Sequence, residues 1–271
     1  MAFAPVEKDF HSAPNGHLDQ TSPSDKRLLG YEIIPADPAF MLLFHPVYRG
    51  EGVPKGDGSP IMYIPGLGGS DRLMNGIRGW SNRTGYTGIR SGVDWNIGSW
   101  RLHLRNIKEN LRQAVEATGQ KATIVGHSLG GTYGLVEVFE DPDLVDTFIT
   151  IASVTKKNIR KAAHSLVGWG GSVAIAVDPE AEEILELLPR LPLPDWIKMY
   201  CISMSTDGVF LEESFGDPRA EESVIVPGKH VTAVWNPYVW EHVGRIQGEK
   251  VKRLREARDA KITQFPARFT A

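Results

Sequence analysis

"KATIVGHSLGGTYG", residues 121–134, sets a serine between Gly126 and Gly130, with a third glycine at Gly131. The short apolar run 122–126 has the composition of a buried strand, and "LGGTYGLVEVFE", 129–140, reads as a helix opening directly after Ser128. A strand that passes at once into a helix cramps the backbone at the turn. Glycine two places to either side removes the side chains that would collide there. The serine hydroxyl then stands above the strand ends, and the first N–H groups of the helix point at the same spot. A serine placed this way is a candidate nucleophile. It needs a base, an acid to orient the base, and donors to hold an oxyanion.

Upstream, "IPGLGGS", 64–70, ends an apolar run and supplies the candidate cradle. Gly66 lets the backbone turn towards the site, Gly68 and Gly69 keep the loop compact, and the N–H groups of Leu67 and Leu129 are the two candidate donors. The glycines do not make a phosphate loop, because neither a Lys-Ser/Thr ending nor G-x-G-x-x-G is present.

Downstream, "ESVIVPG", 222–228, reads as the last strand, and His230 lies in the loop after it. Loops at the carboxyl ends of strands surround the site of a doubly wound sheet. That position separates His230 from the other histidines. His11 and His17 lie in a polar N-terminal stretch, His45 in an early strand, His103 and His242 in helices, and His164 in an irregular insertion. His127 flanks the serine, with its ring expected to point elsewhere. The acid is expected after the preceding strand, "IKMYCISMS", which makes Asp207 the candidate. Glu212, Glu213 and Asp217 are its rivals, and an Asp-Gly turn is the plainer account of Asp207 itself.

The rest of the chain supplies the frame. "YEII" (31–34), "MLLFHPV" (41–47), "IMYI" (61–64) and "TFITIAS" (147–153) read as further strands. Leu104, Ile107, Leu111 and Val115 recur at helical spacing between a cap at Ser99 and a stop at Gly119. Strands alternating with helices predict a mostly parallel, doubly wound α/β sheet covered on both faces. Residues 1–28 read as a polar arm, and 29–271 as the α/β domain. Residues 155–196 break the alternation and read as an inserted helical cap with a basic patch (Lys156, Lys157, Arg160, Lys161) and two apolar stretches. The charged helix at 249–261 is expected to present a solvated face rather than a membrane-binding one.

With 271 residues, 41% hydrophobic, the chain is long enough for one large α/β domain. A net charge of -3 leaves no basic surplus for phosphates, which argues against nucleic acid as the main partner. The lone Cys201 cannot form an internal disulfide. The first residues lack a secretory pattern, and the uncharged stretch 162–177 is shorter than the roughly 20 residues of a spanning helix. Together these predict a soluble, cytoplasmic protein without a transmembrane segment. No metal-ligand spacing is apparent, and the chemistry requires neither metal nor organic cofactor.

The order Ser128, Asp207, His230, with "IPGLGGS", "GHSLGG", "STDGVF" and "VPGKHVTAVWNPYVW", resembles the lipase-like branch of bacterial α/β hydrolases over roughly residues 58–248. The resemblance implies the α/β-hydrolase fold, a triad of these three residues, oxyanion donors at Leu67 and Leu129, and hydrolysis of a hydrophobic ester through an acyl-enzyme. In one respect the chain departs from the pattern. Many such lipases carry His-Gly where this chain has Pro65-Gly66, and proline offers neither an N–H nor an imidazole to support the loop. The two apolar stretches of the cap are candidates to line an acyl groove; Trp80, Trp95 and Trp100 each read singly as core residues, and together as further walls of that groove. Acyltransferases, haloperoxidases and hydroxynitrile lyases reuse the same triad, and a hydrolase-like binding module with an occluded site is the non-enzymatic alternative.

Overall fold

The computed structural model describes residues 37–156, 184, 186–210 and 215–264. The polar arm, the expected strand 31–34 and most of the insertion after residue 155 lie outside these residues. Six strands form one all-parallel sheet in the order β2-β1-β3-β4-β5-β6. They are β1 (Pro60–Ile64), β2 (Thr87–Arg90), β3 (Ala122–His127), β4 (Val145–Ile151), β5 (Lys198–Met204) and β6 (Glu222–Val226). Among the described residues, the α-helices that cover it are α1 (Asn75–Arg83), α2 (Trp100–Thr118), α3 (Leu129–Glu140) and α4 (Pro237–Gln264).

The central strands are apolar on both faces, as burial under helices on each side requires. In β1, Met62 and Ile64 join the cluster under α2 and α3, while Ile61 and Tyr63 join the cluster under α1 and α4. The two-residue period survives within a continuous apolar run. In α2, Leu104, Ile107, Leu111 and Ala114 form the buried stripe, Ser99 caps the start by accepting from Leu102 N–H at 3.3 Å, and Gly119 ends it with φ 65°. Helix α3 is buried along most of its length. Gly134 permits this, because a β-carbon there would lie 2.8 Å from the Phe148 ring. On the other face Trp80 of α1 packs on Trp240 of α4 with ring centres 5.2 Å apart.

Two expectations need correcting. The stretch 41–47 is not a strand but lies in two 3₁₀ turns, Pro38–Phe44 and Pro46–Arg49. Each starts with proline at its first position and is capped by the residue before, Asp37 or His45. The apolar run misled because Phe40, Met41, Leu43 and Phe44 are all exposed. The tryptophans do not wall a pocket together: Trp80 is buried against α4, Trp100 stacks on Tyr133 at 4.8 Å, and Trp95 is 61% exposed. Sequence reading also passed over α1 and β2. Among the described residues, no helix is long and apolar enough to cross a membrane.

Parallel register brings the carboxyl ends of the strands to one rim. Ile64 pairs with Gly126, His127 with Ile151, Ile151 with Ile202 and Met204 with Val226. Whatever follows these residues shares that rim, and Leu67, Ser128, Ser153, Asp207 and His230 all follow them within a few positions.

Candidate active site

Ser128 occupies the turn between β3 and α3 with φ 51° and ψ -122°, a conformation that costs a non-glycine residue on the order of 1–3 kcal/mol. The surroundings hold it there. Its N–H donates to Ile151 C=O at 2.9 Å, and its C=O accepts from Gly131 N–H at 3.0 Å and from Ser153 Oγ at 2.6 Å. Ser153 reaches this position because Ala152 also adopts a positive φ, 47°. Each flanking glycine is needed for space. A β-carbon on Gly126 would lie 2.5 Å from Gly130 O, and one on Gly130 would lie 2.7 Å from Pro65 O.

The expected base and acid converge on this hydroxyl. His230 Nε2 lies 2.9 Å from Ser128 Oγ, and His230 Nδ1 lies 2.8 Å from Asp207 Oδ2. With Nδ1–H directed at the carboxylate, Nε2 is left to accept from the serine O–H. The other Asp207 oxygen accepts from Val209 and Phe210 N–H, both at 2.8 Å, which fixes the carboxylate plane. Ser128 and His230 are buried, and the Asp207 side chain is only 2% exposed. In such surroundings these charge-assisted hydrogen bonds are strong.

His127 was expected to point elsewhere, but its ring lies 5.3 Å from the His230 ring and its Nε2 is 2.9 Å from His230 O. A carbonyl only accepts, so His127 Nε2 carries a proton and donates it. Burial, and then the neighbouring His230, push the His127 imidazole down to about 3, so it stays neutral. On the opposite side Phe210 packs edge-on to His230 at 5.1 Å. The imidazole is thus held from two sides. Its loop is fixed further by Asn236 Nδ2 donating to Pro227 C=O and Thr232 Oγ1 donating to Asp37.

Gly66 lies against the elbow, since a β-carbon on it would fall 2.9 Å from Ser128 Cβ. Leu67 follows Gly66 in this loop, and Leu129 opens α3 directly after Ser128. Among the described residues neither N–H has an acceptor. The support that proline does not give at position 65 comes from the loop after β2. Asn96 Nδ2 donates to Pro65 C=O at 2.8 Å, Asn96 N–H donates to Gly69 C=O at 2.7 Å, and Gly68 N–H donates to Asn96 C=O at 3.0 Å. Asp71 in turn accepts from Ser91 N–H, Ser91 Oγ and Gly92 N–H.

Of the rival acids, Asp217 is paired with Arg219 at 2.7 Å, and Glu212 and Glu213 lie outside the described residues. Arg219 also donates to the carbonyls of Thr155, Leu188 and Leu191, tying the start of the insertion to its closing part. Ser153, Asn96 and Asp71 were missed in the sequence. Ser153 carried the one usable signal, its place at the end of an apolar strand. Among the described residues no group of three or more His, Cys, Asp or Glu side chains is arranged to hold a metal ion.

No protein-family model matches the chain, and no curated protein matches it in sequence. Among solved structures, a mature lipase of Bacillus licheniformis superposes with a TM-score of 0.53 at 16% identity, covering 72% of this chain and 94% of that one. An α/β hydrolase from a lagoon-sediment metagenome gives 0.48 at 18% identity, covering 76% and 94%. A soluble variant of Saccharomyces cerevisiae monoglyceride lipase gives 0.48 at 11%, covering 74% and 88%. With its all-parallel sheet and its strained serine turn after β3, the chain has the α/β-hydrolase fold.

Proposed function

We propose that this chain is a serine carboxylic-ester hydrolase that acts through an acyl-enzyme on a hydrophobic ester. Ser128 Oγ attacks the ester carbonyl carbon while His230 Nε2 takes the hydroxyl proton. Asp207 stabilises the imidazolium that forms. The N–H groups of Leu67 and Leu129 hold the oxyanion of the tetrahedral intermediate. When the intermediate collapses, the C–O bond to the alcohol breaks and His230 returns the proton to the leaving oxygen. Water then attacks the acyl-serine with His230 again as base, releasing the acid and restoring the hydroxyl.

The observation that carries this reading is the unbroken hydrogen-bonded line from Ser128 Oγ through His230 to Asp207, at 2.9 and 2.8 Å. A binding module has no use for a hydroxyl held in a strained turn against a base. The surroundings of the site are apolar: Leu129 and Phe210 are buried in the core cluster on the α2/α3 face, with Leu67 and Val209 packed against it, which favours an apolar acyl group. The solved structure of similar fold from Bacillus licheniformis is a lipase.

The test is labelling with a fluorophosphonate together with hydrolysis of p-nitrophenyl esters of graded length. The expected result is an adduct on Ser128, absent in Ser128→Ala, and turnover that rises from acetate to a chain of several carbons. An intact protein that neither labels nor turns over any ester of the series overturns the reading.

A further inference from the structure

The geometry points to Asn96 as the positioning residue of the oxyanion cradle, a role that rests on the esterase reading above. Asn96 is 1% exposed although it lies in a loop between exposed Trp95 and Ile97. Burying an amide in a surface loop is unfavourable unless its polar groups are paired. Three of its groups are paired with one target, the loop 65–69. Its backbone N–H and C=O join Gly69 and Gly68 as a short ladder would, and its side-chain Nδ2 donates to Pro65 C=O. These contacts fall on both sides of Leu67 in the sequence, and they leave the Leu67 N–H unengaged. The loop is thereby clamped at positions 65, 68 and 69, and the Leu67 N–H between them is left for a ligand.

The clamp matters because a preorganised donor stabilises a developing charge only where its N–H already points to the place the oxygen will occupy. Gly66 sits close against Ser128, with no room for a β-carbon between them. The Asn96 side chain holds the carbonyl of Pro65, the peptide unit that leads into Gly66. Replacing the amide with a carboxylate keeps the shape, removes the donor and sets a negative oxygen against the Pro65 carbonyl. Asn96 touches no reacting atom. It acts on the direction of the Leu67 N–H.

The test is Asn96→Asp, compared with the intact enzyme on a p-nitrophenyl ester and on the matching thionoester. Sulfur accepts hydrogen bonds weakly, so a working cradle favours the oxygen ester strongly. Removing one oxyanion donor outright lowers kcat about 10²–10³-fold, so misdirecting one is expected to lower kcat for the ester roughly 10–100-fold. KM should stay within about threefold, and the ester-to-thionoester preference should fall with kcat. A merely structural role would lower both substrates equally and leave the preference unchanged, which overturns the proposal, as does a kcat within twofold of the intact enzyme. If Asn96→Asp does not fold, amide hydrogen exchange on the unmodified protein decides. Slow exchange at Gly68 with fast exchange at Leu67 is expected, and equal rates at the two overturn the clamp. Loss of fluorophosphonate labelling at Ser128 in the intact protein would instead count against the esterase reading.

Discussion

At the amino ends of β3 and β4, Lys250 of α4 is 1% exposed, and its Nζ lies 3.0 Å from Asp146. It also donates to Lys121 C=O and Thr123 Oγ1. At the carboxyl rim of the sheet, after β3, β5 and β6, another buried polar cluster joins Ser128, Asp207 and His230. In the lower cluster the ammonium has a carboxylate, a carbonyl and a hydroxyl around it. Even so, burial outweighs the pairing, pushing the Asp146 carboxyl up and the Lys250 ammonium down. The upper cluster is open, ending at a hydroxyl and two N–H groups with no acceptor among the described residues. On the proposed reading, buried polar groups serve attachment at one end of the sheet and chemistry at the other.

If that division holds, changes at the two ends should separate cleanly. The largest effect is expected for Asp207→Asn, which keeps the shape but presents the wrong hydrogen-bonding partner to His230. It should lower kcat for a p-nitrophenyl ester by about 10⁴-fold, with urea unfolding shifted little. Next comes Lys250→Met, which strands Asp146 as a buried, unpaired carboxyl. Urea unfolding should show a loss of about 3–5 kcal/mol, while kcat per folded molecule stays within twofold. A tenfold fall in kcat there would break the distinction between the two ends.

Glu137 lies far along α3 from the rim, fully buried, and among the described residues neither of its oxygens has a hydrogen-bond partner. Burial, then Glu140 and Asp141, raise its carboxyl to about 8. A carboxyl raised on folding contributes stability that is fully present below its unfolded value, near 4.5, and is lost as pH climbs through about 8. Glu137→Gln should therefore remove this part of the pH dependence. Between pH 5 and 8, thermal or urea unfolding should show the unmodified protein losing roughly 2–4 kcal/mol relative to the variant. The smallest effect sharpens the view of the rim. Ser153→Ala deletes one hydrogen bond to Ser128 C=O and should cost about 1 kcal/mol of stability. A fall in kcat of up to about tenfold is expected with it, read from the same ester assay.

The elbow could be read from the sequence because its causes are local. Gly126, Ser128 and Gly130 sit within one turn, and the strand before and helix after announce themselves by composition. The strands β3, β4 and β5 were legible for the same reason, being apolar runs of the right length. Helix α1 was not, since it holds two glycines and no side-chain cap at Met74. Strand β2 is four residues with no buried alternation. The parts of the site that sequence did not yield are those that act through distant backbone. Asn96 recognises carbonyls and an N–H some 30 positions away, and no periodicity encodes that. His127 was misjudged because its ring follows the His230 carbonyl, 103 positions on.

The separation along the chain between Ser128 and His230, 102 positions, carries a consequence for synthesis. A nascent polypeptide exposes the nucleophile well before the imidazole has left the ribosome. Until the last strand docks beside β5, the serine is an ordinary alcohol. On the proposed reading, reactivity is withheld from any half-made copy that ends before His230.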